Sequence, residues 1–149
     1  MSLPAETLPL SFPVTMFDND GGYEELVIVS DVAFVARCDC HGLPYPGRAT
    51  VGYLPGDCIV GLSKLVRLVE HYATEGAEPV RLANVVADGL EHALGSPGLG
   101  VVVDAGPTCG DAGVDGAHQI TTATRGRLRE RSTARSEFLL RARPRRRHT

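Results

Sequence analysis

The chain has 149 residues, 43% of them apolar, which is enough to bury one hydrophobic core. It has no tryptophan and only 5% aromatic residues, which argues against a base-stacking surface for nucleic acid. No apolar run is long enough to span a membrane, and the start lacks the basic-then-apolar pattern of a signal peptide. We therefore expect a soluble, cytoplasmic protein.

Charge is distributed unevenly along the chain. Residues 1–124 carry 5 basic and 16 acidic side chains, whereas residues 125–149 carry 10 arginines and 2 glutamates. The arginine-rich end suits either an arm that binds a polyanion or a solvated tail, and tails are the commoner case at chain ends. We divide the chain into a loose N-terminus (1–11), one domain (12–142) and a basic C-terminal tail (143–149).

The predicted elements mix strands and helices. Runs of β-branched and apolar residues predict strands at 25–35, 49–54, 99–105, 117–124 and 136–142. Apolar residues at helical spacing predict two amphipathic helices, at 61–74 and 80–94. The order β-β-α-α-β-β summarises this arrangement, with one strand fewer after the helices than the three runs found there. This pattern predicts an α+β domain in which an antiparallel sheet carries two helices on one face.

A cluster of potential metal ligands follows the first predicted strand. Cys38 and His41 have the Cys-x-x-His spacing that lets a tight turn aim a thiolate and an imidazole at one ion, and this donor pair suits zinc. A third ligand must come from elsewhere, and the cysteines outside the cluster are Cys58 and Cys109. If the last strands paired with the first, Cys109 could reach Cys38. The spacing alone leaves open that these are small buried thiols.

The first predicted helix contains Gly61-Leu-Ser-Lys-Leu-Val-Arg-Leu-Val-Glu70, which resembles the signature helix of GTP cyclohydrolase I. The only lysine of the chain, Lys64, lies in it. Other motifs fall in the order of that family: Gly22-Tyr-Glu-Glu25, Cys38-Asp-Cys-His41 with Leu43-Pro44, Gly52-Tyr-Leu-Pro55, Asp104-Ala105 with Cys109, Thr122-Ala-Thr124 and Arg135-Ser-Glu-Phe-Leu139. Several separated motifs in register are much harder to obtain by chance than one.

The resemblance implies a tunnelling fold (T-fold), in which neighbours complete the sheet in a ring and active sites lie at subunit contacts. The expected assembly is a homo-oligomer, a pentamer or a pair of pentamers. The resemblance also implies a zinc ion held by Cys38, His41 and Cys109, with a fourth position open for water. Three protein ligands and one open position are typical of catalytic zinc.

The resemblance further implies a binding group for an anionic, nucleotide-like substrate. Ser63, Lys64 and Arg67 would lie near the N-terminus of their helix. An ammonium, a guanidinium and the helix dipole can together bind a polyphosphate there. Ordinary surface charge is the alternative interpretation of Lys64 and Arg67.

The chain departs from the family at positions that carry chemistry. Cys40 and Pro107 stand where the family has histidines, and Pro79-Val80 stands where it has the Gln-Glu pair that binds the purine edge. An arginine that the family uses for the phosphates is missing after Cys109. A proline side chain can neither donate nor accept a catalytic proton. The metal ligands are therefore kept, while guanine recognition and acid/base groups are lost.

Three hypotheses follow. We favour a zinc-dependent hydrolase redirected from GTP to a related heterocyclic or phosphorylated substrate. The second is a GTP cyclohydrolase I that still opens the GTP ring, releases formate and forms dihydroneopterin triphosphate, with His71, His92 or His118 supplying the missing group. The third is a non-catalytic structural or regulatory ring protein. As a near neighbour of Cys38, Cys40 could also become a fourth ligand and close the metal site.

Overall fold

The computed structural model describes residues 16–38, 42–106 and 118–142. The described residues form these elements in chain order: β1 (Met16–Asp18), β2 (Val27–Arg37), β3 (Pro44–Tyr53), β4 (Cys58–Val60), α1 (Leu62–Thr74), α2 (Pro79–Leu94), β5 (Gly98–Ala105), β6 (Gln119–Gly126), α3 (Arg127–Glu130) and α4 (Ser132–Arg141). The proposed loose N-terminus (1–11) and basic tail (143–149) lie outside the described residues. None of the described helices is long and apolar enough to cross a membrane.

Four strands form an antiparallel sheet in the order β2-β3-β5-β6. Ala105 on β5 is opposite Gly47 on β3 and Gln119 on β6, so the end of β5 lies between the start of β3 and the start of β6. The outer strands are β2 and β6. The sequence alone allows the last strands to pair with the first. Within one chain they do not, because β5 lies beside β3 and leaves β2 at one edge of the sheet.

One face of the sheet is covered by α1 and α2, as predicted. Both helices bury an apolar stripe, which in α1 comprises Leu65, Leu68, Val69, Tyr72 and Ala73. The two helices approach closely where Gly89 of α2 meets the Tyr72 ring, since a Cβ at position 89 would overlap that ring. Alternating β2 residues such as Phe34 and Ala36 supply the sheet side of this core.

The opposite face of the sheet is partly covered by α4, which corrects the predicted strand at 136–142. This segment is a helix because it is rich in good helix formers and has no β-branched residue. Its short apolar run, Phe138 to Leu140, fits a strand or a helix equally well. Phe138 is fully buried on Gly52 and Gly100, where added Cβ atoms would lie 2.7 and 2.5 Å from its ring.

Strand pairing and individual hydrogen bonds connect the remaining elements to the sheet and helices. β1 pairs with β4 in a separate two-stranded sheet that the sequence did not predict. The Tyr53 hydroxyl accepts a hydrogen bond from the Val60 N–H at 3.2 Å and so connects β3 to β4. Arg125 donates through Nη2 to the Asp88 carboxylate at 2.9 Å and so connects β6 to α2.

Candidate functional site

The turn after β2 holds the first predicted zinc ligand. Cys38 is buried, with 3% of its surface exposed. Its N–H donates to the Leu43 carbonyl and its carbonyl accepts from the Gly42 N–H, both at 3.0 Å. The Arg37 guanidinium donates to the Gly42 carbonyl at 2.8 Å, and Gly42 has a φ of 64°, which glycine adopts without steric cost. The chain thus reverses direction between Cys38 and Leu43.

The connection between α1 and α2 lies at the same end of the sheet as Cys38. The Tyr45 hydroxyl, on β3, donates to the Ala77 carbonyl. Gly76 has a φ of 82°, and a Cβ there would lie 3.3 Å from the Arg37 carbonyl oxygen. A larger residue at position 76 would therefore press against the strand that leads to Cys38.

The end of β5 also lies at this end of the sheet. The Gly106 N–H donates to the Pro46 carbonyl at 2.9 Å. Cys109, the remote predicted ligand, follows Gly106 by three residues and lies outside the described residues, as does Pro107.

Of the three predicted zinc ligands, only Cys38 is described. His41 and its neighbour Cys40 lie outside the described residues. Among the residues that the structure describes, no three His, Cys, Asp or Glu side chains gather at one point. The zinc site and the role of Cys40 therefore stay predictions.

The residues aligned with the purine-binding pair are at the start of α2. Pro79 is the first residue of the helix and is buried, whereas Val80 is 53% exposed. They follow Ala77, whose carbonyl accepts a hydrogen bond from the Tyr45 hydroxyl near Cys38. The start of α2 therefore presents the isopropyl group of Val80 to its surroundings.

The predicted substrate group lies on the first two turns of α1. Ser63 and Arg67 are exposed and one helical turn apart, and Lys64 is partly exposed. Gly61 begins the helix with an extended backbone, the first turn has no acidic side chain, and no described side chain caps it. The positive potential at this end of the helix dipole therefore adds to that of Lys64 and Arg67, and together they favour the binding of an anion.

The structure does not bring the substrate group and the Cys38 turn together within one chain. α1 runs between them, with Lys64 near its first residue and Thr74 at its last. At 1.5 Å per residue, the rise from Lys64 to Thr74 is about 15 Å. A site that contained both groups within one chain would have to span about this length.

A histidine–carboxylate pair lies at the start of β6. The Nδ1 atom of His118 is 2.9 Å from the Oδ1 atom of Asp104 on β5. The His118 side chain is 58% exposed and that of Asp104 is 23% exposed. Sequence reasoning named His118 as one of three available histidines but missed its partner, because the pairing of β5 with β6 brings together residues 14 positions apart.

The other two available histidines have different surroundings. His92 is exposed in the last turn of α2. His71 is half-buried in the last turn of α1, with its ring 5.1 Å from that of Tyr72, and its Nε2 has no hydrogen-bond partner within the described part of the chain. Neither has a carboxylate partner among the described residues.

A cavity of about 530 Å³ lies at the other end of the sheet, away from Cys38. Its polar lining is mostly acidic and includes Asp18, Asp20, Glu24 and Asp57, with Arg127 as the basic member. None of the predicted site residues lines it. An acidic lining does not suit a polyphosphate.

Comparison with known proteins identifies the family. The sequence matches the family model described as GTP cyclohydrolase I over residues 7–143. The chain belongs to the GTP cyclohydrolase I family. The GTP cyclohydrolase 1 of Aquifex aeolicus is 39% identical over 132 residues, which make up 87% of this chain and 72% of that protein. That of Gloeobacter violaceus is 39% identical over 123 residues, or 80% of this chain and 58% of that protein.

Solved structures confirm the T-fold of this family member. The archaeosine synthase QueF-Like in its apo form matches with a TM-score of 0.58 and 17% identity, over 68% of this chain and 93% of that one. Dihydroneopterin aldolase of E. coli in complex with neopterin matches with a TM-score of 0.55 and 14% identity, over 68% of this chain and 99% of that one. At these identities the likeness concerns the fold alone.

Proposed function

We propose that this member of the GTP cyclohydrolase I family is a zinc-dependent hydrolase that acts on a nucleotide-like heterocycle other than GTP. One observation carries the proposal, namely the contrast at the Cys38 end of the sheet. Cys38 is buried in a hydrogen-bonded turn, which suits a metal ligand, while the nearby start of α2 carries Pro79 and Val80 in place of the purine-binding pair. The metal end is kept and the purine contacts are changed.

Cys38, His41 and Cys109 would hold the zinc ion. Two thiolates and one imidazole are a donor set that suits zinc, and three protein ligands leave one position for water. Because Cys109 follows Gly106 by three residues, covalent geometry keeps its Cα within about 11 Å of the Gly106 Cα. A bound zinc ion would supply a Lewis acid that makes water nucleophilic near neutral pH.

The change at Val80 is the main reason to expect a substrate other than GTP. A carboxylate at this position can accept hydrogen bonds from the N–H groups of guanine, and a valine side chain cannot. Hydrogen bonds to a charged group contribute about 1.5–3 kcal/mol each. A substrate with an apolar or alkylated edge fits Val80 better than guanine does.

Ser63, Lys64 and Arg67 would bind the phosphates of this substrate from a second chain. Their distance from the Cys38 turn along α1 supports a composite site at a subunit contact. The outer strands β2 and β6 support the same conclusion, because exposed strand edges pair readily with those of other copies. We therefore propose a homo-oligomeric ring.

The test measures the zinc content and the turnover of the purified protein. Formate release from GTP, ITP, XTP, ATP and 7-methyl-GTP reports opening of the imidazole ring, and oxidation followed by fluorescence reports the pterin product from GTP. We expect GTP turnover near background because Cys40 and Pro107 replace histidines, and general acid/base catalysis contributes about 10²- to 10⁴-fold in rate. We expect faster formate release from another member of the panel.

The double variant Cys40→His/Pro107→His is the matched control for the GTP reaction, and it should turn over GTP faster than the unmodified chain. Turnover of GTP by the unmodified chain at ordinary enzymatic rates, on the order of 1 s⁻¹ or above, would show a working GTP cyclohydrolase. Zinc-loaded rings that release no formate from any of the five nucleotides would indicate a non-catalytic protein.

A further inference from the structure

The pair formed by His118 and Asp104 has the geometry of a proton-transfer group. Asp104 Oδ1 accepts from the Nδ1–H of His118 at 2.9 Å, which places the second ring nitrogen, Nε2, on the far side of the ring. Within the described part of the chain Nε2 has no hydrogen bond, and the ring is more than half exposed. A neutral imidazole with this tautomer presents Nε2 as a base to solvent or to a ligand.

The position of the pair in the sheet links it to the proposed site. His118 directly precedes the first residue of β6, and Gln119 is opposite Ala105, so His118 lies at the rim where β5 ends. This is the same end of the sheet as the Cys38 turn. Asp104 lies on the strand itself, opposite Arg48 of β3 and Ile120 of β6, so the sheet fixes the backbone of the residue that holds His118.

In the proposed ring, the Cys38 turn of a neighbouring chain would lie beside the pair. The three successive pairings in the sheet are antiparallel, so the outer strands β2 and β6 run in opposite directions. A second copy that adds its β2 to β6 in the same antiparallel sense places the end of that β2, Arg37 and Cys38, beside His118. Adjacent strands are about 4.8 Å apart, so in this arrangement the imidazole of one chain would be within reach of the Cys38 turn of the next.

We propose that His118 is a proton-transfer residue for the hydrolysis and that Asp104 positions it. This inference rests on the proposed function and adds to it the acid/base group that Cys40 and Pro107 cannot supply as the family's histidines do. Nothing in the family motifs marks His118, because it follows the last of the altered positions and its partner lies on another strand.

The proposed step consumes one water molecule. Nε2 of His118 accepts one proton as the water oxygen bonds to the amidine carbon of the substrate, and it delivers that proton to the imine nitrogen. As the other carbon–nitrogen bond breaks and the C=O bond forms, His118 carries the remaining hydroxyl proton to the departing nitrogen. The products are a formamide and an amine, and a second water then releases formate from the formamide. The Asp104 carboxylate stabilises the imidazolium that exists between the two proton transfers.

The test uses the intact protein and the nucleotide of the five-member panel that gives the fastest formate release. We expect His118→Gln to lower kcat by about 10²- to 10⁴-fold, with the zinc content unchanged. His92→Gln is the matched control, because His92 is an exposed histidine on α2 without a carboxylate partner, and its kcat should stay at that of the unmodified chain. Free imidazole should restore part of the rate to His118→Gly and leave the rate of His92→Gly unchanged.

Asp104 is tested as a positioning residue. We expect Asp104→Asn to lower kcat by about 10- to 100-fold while KM stays constant, since loss of such supporting carboxylates typically has effects of this size. Asp104→Glu, which keeps the carboxylate, should recover part of the rate. If Asp104 had only a structural role, both variants would be less stable, and the kcat of Asp104→Glu would be no higher than that of Asp104→Asn.

Two outcomes overturn the inference in distinguishable ways. If the unmodified protein releases no formate from any nucleotide of the panel, the proposed function fails and the role of His118 fails with it. If the unmodified protein is active and His118→Gln retains its kcat, the proposed function stands and the proton-transfer role of His118 is wrong. Loss of activity that imidazole does not restore in His118→Gly also counts against proton transfer.

Discussion

Cys38 is the predicted zinc ligand whose surroundings the structure describes, and its loss should remove the metal. Its backbone is held by Leu43 and Gly42, so replacing the thiol by a hydrogen atom leaves the turn intact. We expect one zinc ion per chain in the unmodified protein and less than about a tenth of that in Cys38→Ala, because zinc sites with two ligands are weak. Elemental analysis after gel filtration measures the content.

Two other cysteines serve as controls for this prediction. Cys58 lies on β4, half-buried and away from the Cys38 turn, so Cys58→Ala should keep its zinc. Retention in Cys40→Ala would support an open metal site with three protein ligands. Equal losses in Cys38→Ala and Cys40→Ala would instead indicate four protein ligands and a structural ion.

The burial of Tyr72 leads to a separate prediction about the free energy of unfolding. It is 2% exposed, and its hydroxyl has no hydrogen-bond partner among the described residues. Burial, with a smaller effect of the Glu75 carboxylate, raises the pKa of Tyr72 above its usual 10.0. The unfolded chain then loses this proton at a lower pH than the folded chain, so the free energy of unfolding should fall as the pH rises above about 10.

Tyr72→Phe should remove both effects. Deleting an unpaired buried hydroxyl should raise the free energy of unfolding by about 1 kcal/mol near pH 7 and reduce its fall at alkaline pH. Tyr53→Phe is the control, because the Tyr53 hydroxyl accepts a hydrogen bond from Val60 and its loss should destabilise. Urea unfolding at pH 7 and pH 11 measures both, and a destabilised Tyr72→Phe would mean that its hydroxyl has a partner.

At the scale of elements, α4 depends on one residue. Phe138 is fully buried against Gly52 and Gly100, which are directly opposite each other on β3 and β5. Leu139 and Leu140 on the same helix are exposed. We expect Phe138→Ala to lower the free energy of unfolding by about 3–5 kcal/mol, the usual cost of removing a buried aromatic side chain.

Leu140→Ala is the matched control for Phe138→Ala. Leu140 is 68% exposed, two residues away on the same helix, and its truncation should change the free energy of unfolding by less than about 0.5 kcal/mol. Chemical denaturation measures both. If the two variants lose the same amount, α4 is not anchored on the glycine pair.

The sequence predicted best those elements in which the pattern of apolar residues shows directly which side chains are buried. α1, α2 and β5 begin and end within one residue of the predicted bounds, because each has one apolar stripe or one unbroken apolar run. α4 was predicted as a strand, since its single buried residue gives no helical period. β1 and β4 have three residues each, too few for any period to show.

The candidate site was predictable as a set of residues but not as an arrangement. The motif around Lys64 and the spacing of Cys38 and His41 follow from the sequence order. The distance from Lys64 to the Cys38 turn depends on where α1 lies across the sheet, and the pairing of His118 with Asp104 depends on the register of β6 with β5. Neither follows from motifs, because both are long-range contacts.

At the scale of the whole molecule, the separated halves of the site and the two outer strands lead to the same assembly. A ring joined through β2 and β6 would cover both edges of the sheet. We expect light scattering at micromolar concentration to give a mass of five or ten chains. A monodisperse monomer would contradict the ring and the composite site together.

Mixed rings test whether one site is built from two chains. Cys38→Ala removes the metal half and Lys64→Met removes the phosphate half, so rings of either variant alone should have little activity. If each site takes its two halves from different chains, random mixing after co-expression should restore about one quarter of the sites, because symmetric contacts pair the variants independently.

The measurement is formate release per chain, with the nucleotide that the unmodified protein uses fastest, for each variant alone and for the co-expressed pair. Rings that contain Cys38→Ala together with Cys38→Ala/Lys64→Met are the control, since no chain then supplies an intact metal half. Recovery in the first mixture but not in the control would support a shared site. Equal inactivity of both mixtures would show that each site takes its metal half and its phosphate half from the same chain.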